Sequence, residues 1–474
     1  MRRKLFFILL LPALLHTAHA RVKLPPQICD NMVLQQQTEA CLWGEAAPNS
    51  VLKIASSWKA QASVNVGPDG RWKTHLHTPS ASYDPHTITI SDKDGVTVVK
   101  NVLVGEVWFC SGQSNMEMPL QGFNRSPIDN ANITISEAIN YPGIRMATIA
   151  QKAAMEPQEY AEGVWKESNA DNAPEFSAAA YHFALRLNRT MHIPIGIIHC
   201  SWGGSRVEGW MPRNMLEDLG EDISMASSTA PGIMYMKPMI MYNGMLSPLV
   251  NYTIRGFLWY QGCSNVDHHD TYAERMAMMV DHWRSLWGLG EIPFYYVEIA
   301  PYKHDRTETG VNGALLREAQ FKAQRIIPNS AMITTNDLVK PYESGQVHPS
   351  NKTDIGERLA WLALHKTYNY KGILADYPVF ERMEIGGNAV KVFFANAPQG
   401  FLLRTGGYYG FEVAGKDKIF HAARATPMMM GGAVMVVSDS VPEPVAVRYC
   451  FRNFQVGNLT SSGMPAFPFR SDNW

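Results

Sequence analysis

Between residues 101 and 372, short apolar runs alternate with amphipathic segments. This alternation limits the fold more than any other feature of the chain. The runs VLVGEVWFC, IPIGIIHC, TIRGFLWY, IPFYYVEIA and SAMITT read as strands. Among them stand helix-like segments, including EFSAAAYHFALRLNRT, YAERMAMMVDHWRSLW, ALLREAQFKAQRII and DIGERLAWLALHKTY. In the first of these Phe176, Ala180, Phe183, Ala184 and Leu187 recur at helical spacing, a stripe that belongs to a core. Strands that alternate with helices build a parallel sheet with helices on both faces. An α/β sheet of that kind is expected over 101–372.

The flanks have another rhythm. Over 21–100, DNMVLQQQ, CLWGEAAPNSVLKIAS, QASVNVGPDGRWKTHL and HTITISDKDGVTVVK are short alternating runs broken by Gly, Pro and Asp-Gly, which predicts a small β-sandwich. Over 373–474 the runs AVKVFFANA, FLLRTG, YYGFEVAG and AVMVVSDS predict a β-rich region. Residues 1–20 read as a signal peptide: Arg2, Arg3 and Lys4 precede an apolar stretch from Leu5 to Leu15, and Ala18-His19-Ala20 has the small-x-small cleavage pattern. That stretch is shorter than the roughly 18 apolar residues a membrane span requires. A secreted or periplasmic protein with no span after signal removal is expected.

Lys and Arg number 42 against 43 for Asp and Glu, so no basic excess exists to neutralise phosphates and nucleic acid is not an expected partner. The 12 Trp and 19 Tyr offer flat faces that suit sugar rings, although most such residues serve a core. The six cysteines form no CxxC pair, so zinc is not expected. Cys110 and Cys200 lie in apolar runs and read as buried thiols, while export leaves a Cys29–Cys41 disulfide open.

In open parallel sheets ligands bind beyond the carboxyl ends of the strands. VWFC is followed by SGQSNM with Ser114, and IGIIHC by SWGGSRVEGW with Gly203 and Gly204. GFLWY is followed by QGCSN with Asn265, and MITT by NDLVKPYESGQVHPSNK with His348. A hydroxyl, bare backbone amides, a carboxamide and an imidazole therefore reach one edge. Those are the parts of acyl transfer: nucleophile, oxyanion donors and base.

GQSNM at 112–116, WGGS at 202–205, WYQGCSN at 259–265 and VHP at 347–349 stand in the order found in the SGNH hydrolases. The chain resembles the sialate O-acetylesterase-like carbohydrate esterases among them. DNMVLQ, EGW, NKTDIGERLA and MPAFPFRSD extend the likeness over nearly the whole chain after residue 20. The resemblance implies a flavodoxin-like sheet and a serine esterase acting on an acetylated sugar, without a metal or cofactor. The substrate is expected to be an O-acetylated sialic acid. The rivals are acetylated xylan or another polysaccharide, and an inactive carbohydrate-binding relative.

The resemblance assigns Ser114 as nucleophile and His348 as base. It places the Ser114 N–H, an amide at Gly203 or Gly204, and the Asn265 side chain in the oxyanion hole. Gln113 and Gln261 are expected to contact the substrate. Relatives often supply the histidine's carboxylate partner two residues before it, or from the WYQGExN block. Here Gln346 and Cys263 hold those positions. Neither can carry the charge that steadies an imidazolium, and losing that partner can cost about 10⁴ in rate. A Ser-His dyad, or an orienter among Gln346, Asp337 and Glu343, is the expectation.

Overall fold

The computed structural model describes residues 22–227, 234–303, 310–402, 405–429 and 431–474. The expected signal peptide, residues 1–20, lies outside the described residues.

One long strand organises the molecule. β1 (Val96–Gly112) is exposed at alternate positions near its start and buried at every position from Val102 onward. The pattern changes because its neighbours change. Its first part pairs antiparallel with Ser82–Ser91 in a sheet that has one wet face. Its second part lies at the centre of a parallel sheet with both faces covered. The expected boundary at 100/101 therefore falls inside a continuous strand. The apolar side chains of both parts share one core, with Leu52, Ile54 and Ile90 of the N-terminal region joined to Trp108 and Phe109.

The other strands of the central sheet are β2 (Ile144–Thr148), β3 (Trp165–Glu167), β4 (Ile195–Ser201), β5 (Gly256–Tyr260), β6 (Phe294–Val297) and β7 (Ser330–Ile333). Their spatial order is β7-β6-β5-β1-β4-β2-β3. All pair in parallel except β3, which runs antiparallel to β2. The main helices are α1 (Ser114–Glu117), α2 (Ala178–Met191), α3 (His269–Trp287), α4 (Asn312–Ile326) and α5 (Thr353–Leu362). Trp108 and Phe109 are adjacent on β1, so their side chains leave opposite faces. Trp108 packs edge-on against Phe183 of α2 at 5.1 Å, and Phe109 against Trp287 of α3 at 5.4 Å. Helices thus cover both faces.

α2 begins where Ser177 caps it: the Ser177 hydroxyl accepts the Ala180 N–H at 3.2 Å. α5 crosses α2 at Gly356. A Cβ there would sit 2.6 Å from the Phe183 amide nitrogen and 2.7 Å from the Ala179 carbonyl oxygen, so only glycine allows the helices this close. That crossing fixes α5, and with it the preceding loop that carries His348.

Residues 379–470 form an antiparallel sheet over a core of its own, which includes Val390, Val392, Val434, Val447 and Tyr449. It docks through Arg317 of α4, which is buried and donates to the carbonyls of Cys450 and Arg452. Asn336 adds a bond to the Ala466 carbonyl at 2.9 Å. All six cysteines are free thiols, so no Cys29–Cys41 disulfide exists; the Cys29 thiol donates to the Asp30 carbonyl instead. No described helix is long and apolar enough to cross a membrane.

Candidate active site

β1 ends at Gly112 with φ +137°. A Cβ at this point would lie 2.3 Å from the Tyr260 carbonyl oxygen, so glycine is what lets β1 and β5 close together. The Gln113 N–H then bonds that same carbonyl at 3.0 Å. The chain turns at once into α1, and Ser114 is its first residue. Its N–H is one of the first-turn amides that have no acceptor within the helix.

His348 arrives on the loop between β7 and α5. Its Nε2 is 2.7 Å from Ser114 Oγ. The Phe123 ring meets the imidazole edge-on, with centroids 5.3 Å apart. Burial, aided by the positive charge of Lys352, lowers the His348 pKa to about 4. The imidazole is therefore neutral at ordinary pH and free to accept the serine proton. A hydroxyl in hydrogen-bond contact with a neutral imidazole is the arrangement of a base-activated nucleophile.

None of the three expected orienters reaches His348. Asp337 makes a two-pronged ion pair with Arg358, at 2.8 and 2.6 Å. Glu343 accepts the N–H groups of Lys340 and Ser350, both at 2.9 Å. Burial works to raise its carboxyl, but those hydrogen bonds outweigh it and hold the pKa below the usual range. Gln346 is exposed to solvent. Among the described residues no carboxylate stands within hydrogen-bond reach of His348 Nδ1.

The expected oxyanion donors meet different fates. The Gly203 N–H is taken by the Glu117 carboxylate, which also accepts from Gln151 at 3.1 Å. Burial raises the Glu117 pKa. Gly204 adopts φ +74° and presents its carbonyl to the Ser264 hydroxyl at 2.8 Å. The Asn265 side chain is buried. Its Oδ1 accepts the Val207 N–H at 3.1 Å and Gln261 Nε2 at 2.7 Å, which fixes the orientation of the amide. Its Nδ2 lies 3.2 and 3.0 Å from the two oxygens of Glu208. The two N–H bonds of an amide diverge far more widely than two oxygens of one carboxylate as seen from that nitrogen. Both contacts therefore share one hydrogen, and the second hydrogen points elsewhere. Arg275 secures Glu208 from behind at 2.6 Å.

Gln113 and Gln261, expected to contact the substrate, also tie neighbouring strand ends together. Gln113 Oε1 accepts the Gly262 N–H at 2.6 Å. Gln261 donates to the Ser205 carbonyl at 3.0 Å and accepts the Tyr272 hydroxyl at 2.8 Å. Gln261 uses both ends of its amide in these bonds, whereas Gln113 commits only its Oε1 and among the described residues has no bond from Nε2. Asn115, Glu117, Glu208 and Lys352 touch or support the site without having been singled out from the sequence. Each lies within or beside a block quoted above, and that adjacency was the available signal. Among the described residues no group of His, Cys, Asp and Glu is gathered as a metal would require.

The family described as "Carbohydrate esterase, sialic acid-specific acetylesterase" matches residues 104–365, more than half of the chain and all of the site just described. The chain belongs to this family. It is a carboxylic ester hydrolase of the carbohydrate esterase type. The crystal structure of a carbohydrate acetylesterase from Xanthomonas citri is similar to it, with 31% identity and a TM-score of 0.84, covering 96% of this chain and 100% of that one. The sialate O-acetylesterases of Homo sapiens and Pongo abelii are each 26% identical over 393 residues, 76% of this chain and 73% of theirs.

Proposed function

We propose that this esterase is a sialate O-acetylesterase working through an acetyl-enzyme on Ser114. The observation that carries the reading is the 2.7 Å contact between Ser114 Oγ and His348 Nε2 at the carboxyl edge of the sheet. Oγ attacks the acetyl carbonyl carbon while Nε2 takes the hydroxyl proton. The tetrahedral intermediate collapses, the bond from acetyl carbon to sugar oxygen breaks, and the imidazolium returns its proton to that oxygen. Water then adds to the acetyl-enzyme with His348 again as base, and acetate leaves. The Ser114 N–H and the second hydrogen of Asn265 Nδ2 serve the developing oxyanion. The Gly203 N–H joins them only when Glu117 moves aside.

Two aromatic rings support a sugar as the alcohol part. Phe123 borders His348, and Tyr235 stands over Gly204, where a Cβ would come within 2.6 Å of its ring. The sialic acid itself is inferred from the family's description and from the mammalian relatives. Export to the periplasm or the outside rests on the basic, apolar and small-residue pattern of residues 2–20.

A panel of esters tests the reading. Acetate should be released from O-acetylated sialic acids faster than from acetylated xylan. Faster release from xylan would keep the chemistry and overturn the substrate. No release even from a small chromogenic acetate would overturn both.

Three variants probe the assignments. Asp337→Asn and Glu343→Gln should keep kcat within about tenfold of wild type in folded protein, because neither acid touches His348; a true triad partner would cost about 10⁴. Asn265→Ala should lower kcat by about 10²–10³ with little change in KM. A rise in KM alone would make Asn265 a substrate contact instead of an oxyanion donor.

A further inference from the structure

Lys352 is fully buried, and the mechanism above gives it no task. Among the described residues no carboxylate pairs with it. Glu343 and Asp129 are close enough to favour its charge, and Cys263 couples to it as well, yet burial dominates and brings its pKa down to about 7. A buried, unpaired lysine is costly, so its position calls for a reason.

Its bonds supply one. Lys352 Nζ donates to the Pro349 carbonyl at 2.5 Å and to Asn115 Oδ1 at 2.9 Å. Asn115 is also fully buried, and its Nδ2 donates to the Val347 carbonyl at 2.9 Å. Val347 and Pro349 are the residues on either side of His348. Asn115 is the residue after Ser114. The two carbonyls that bracket the base are therefore tied, one directly and one through Lys352, to a single side chain anchored beside the nucleophile. A neutral amine has the two hydrogens these bonds require, so the ring of contacts survives loss of the lysine charge.

We propose that Asn115 and Lys352 are a positioning pair that sets the distance and angle of the His348 imidazole to Ser114 by clamping the backbone on both sides of it. The clamp does the orienting that a carboxylate on Nδ1 does in a triad. It does so with the opposite electrostatic effect, since the lysine charge disfavours the imidazolium. The inference rests on the reading of Ser114 and His348 as the reacting pair.

The test uses Lys352→Met, Asn115→Ala and the double variant of the mature protein, assayed on one chromogenic acetate beside Ser114→Ala. Methionine fills the lysine's volume and removes a buried charge, so the fold should hold or gain stability. A base displaced by about 1 Å costs on the order of 10² in rate, so kcat should fall by about that factor in each single variant with KM unchanged. The double variant should be no worse than the poorer single, because both cut one unit. Lys352→Met should also move the acid limb of kcat/KM to higher pH, as His348 loses its positive neighbour. If Lys352→Met does not fold, Asn115→Ala decides on the same criteria. A folded single variant with kcat near wild type overturns the clamp. So does a fall in kcat that tracks only the amount of folded protein. Wild-type activity in Ser114→Ala would instead overturn the underlying reading, which separates the two failures.

Discussion

Ser114→Ala is expected to lower acetate release by about 10⁴-fold or more while leaving the fold intact, since in serine hydrolases loss of the nucleophile removes nearly all the chemistry above oxyanion and binding effects. The substitution keeps Cβ and the backbone N–H. It deletes one hydroxyl, whose bond is to His348 Nε2. The turn that presents residue 114 depends on Gly112 and on the Gln113–Tyr260 backbone bond, neither of which uses the serine side chain. Circular dichroism and the thermal midpoint should match wild type. A folded variant with near-normal kcat would remove Ser114 from the mechanism and leave the hydroxyl a mere turn residue.

His348→Ala should be nearly as severe, with a loss of about 10⁴ in kcat. The pH profile offers an independent reading. A general base must be unprotonated, so kcat/KM falls as pH drops through the pKa of the free enzyme's base. An ordinary histidine would place that fall near 6.5. Burial lowers His348 to about 4, with Lys352 adding to the shift, so the fall should come well on the acid side of the usual position and the profile should be level through neutrality. The residual activity of His348→Ala should lack this limb. An acid limb near the ordinary histidine position would show that the imidazole is better solvated in solution than its contacts with Phe123 and the clamp imply.

The parallel sheet was legible because strands buried on both faces read as unbroken apolar runs. The run from Val102 through Cys110 is an example. Ser114 and His348 were legible because a parallel sheet sends all its carboxyl ends to one edge, so the residues after each run had to meet. The orientation of the carboxylates was not. Asp337 and Glu343 are near His348 in sequence, but distance along the chain does not say which way a side chain turns. Arg358 claims the first from α5, 21 residues along the chain, and the Lys340 and Ser350 amides claim the second. That both ends of the Gln261 amide are taken up by neighbouring groups was hidden for a related reason. A polar side chain at a strand end can face the ligand or hold the neighbouring loop, and the backbone N–H groups and carbonyls that decide between them are invisible in a string of letters. The boundary at residue 100 followed a real change of pattern, but that change marks new neighbours along one strand and not a break in it.

That uninterrupted strand bears on how the molecule comes apart. Two modules joined by a linker melt separately, each at its own temperature. Here the last strand of the N-terminal sheet continues as the middle strand of the parallel sheet, and the apolar residues on both sides share a core. Loosening either half strips partners from the other, so the two are coupled in unfolding as tightly as neighbouring strands within a single sheet. Evolution or an engineer could lengthen the loops around β1, but could not exchange the N-terminal sheet as a cassette without recutting the strand that delivers Ser114.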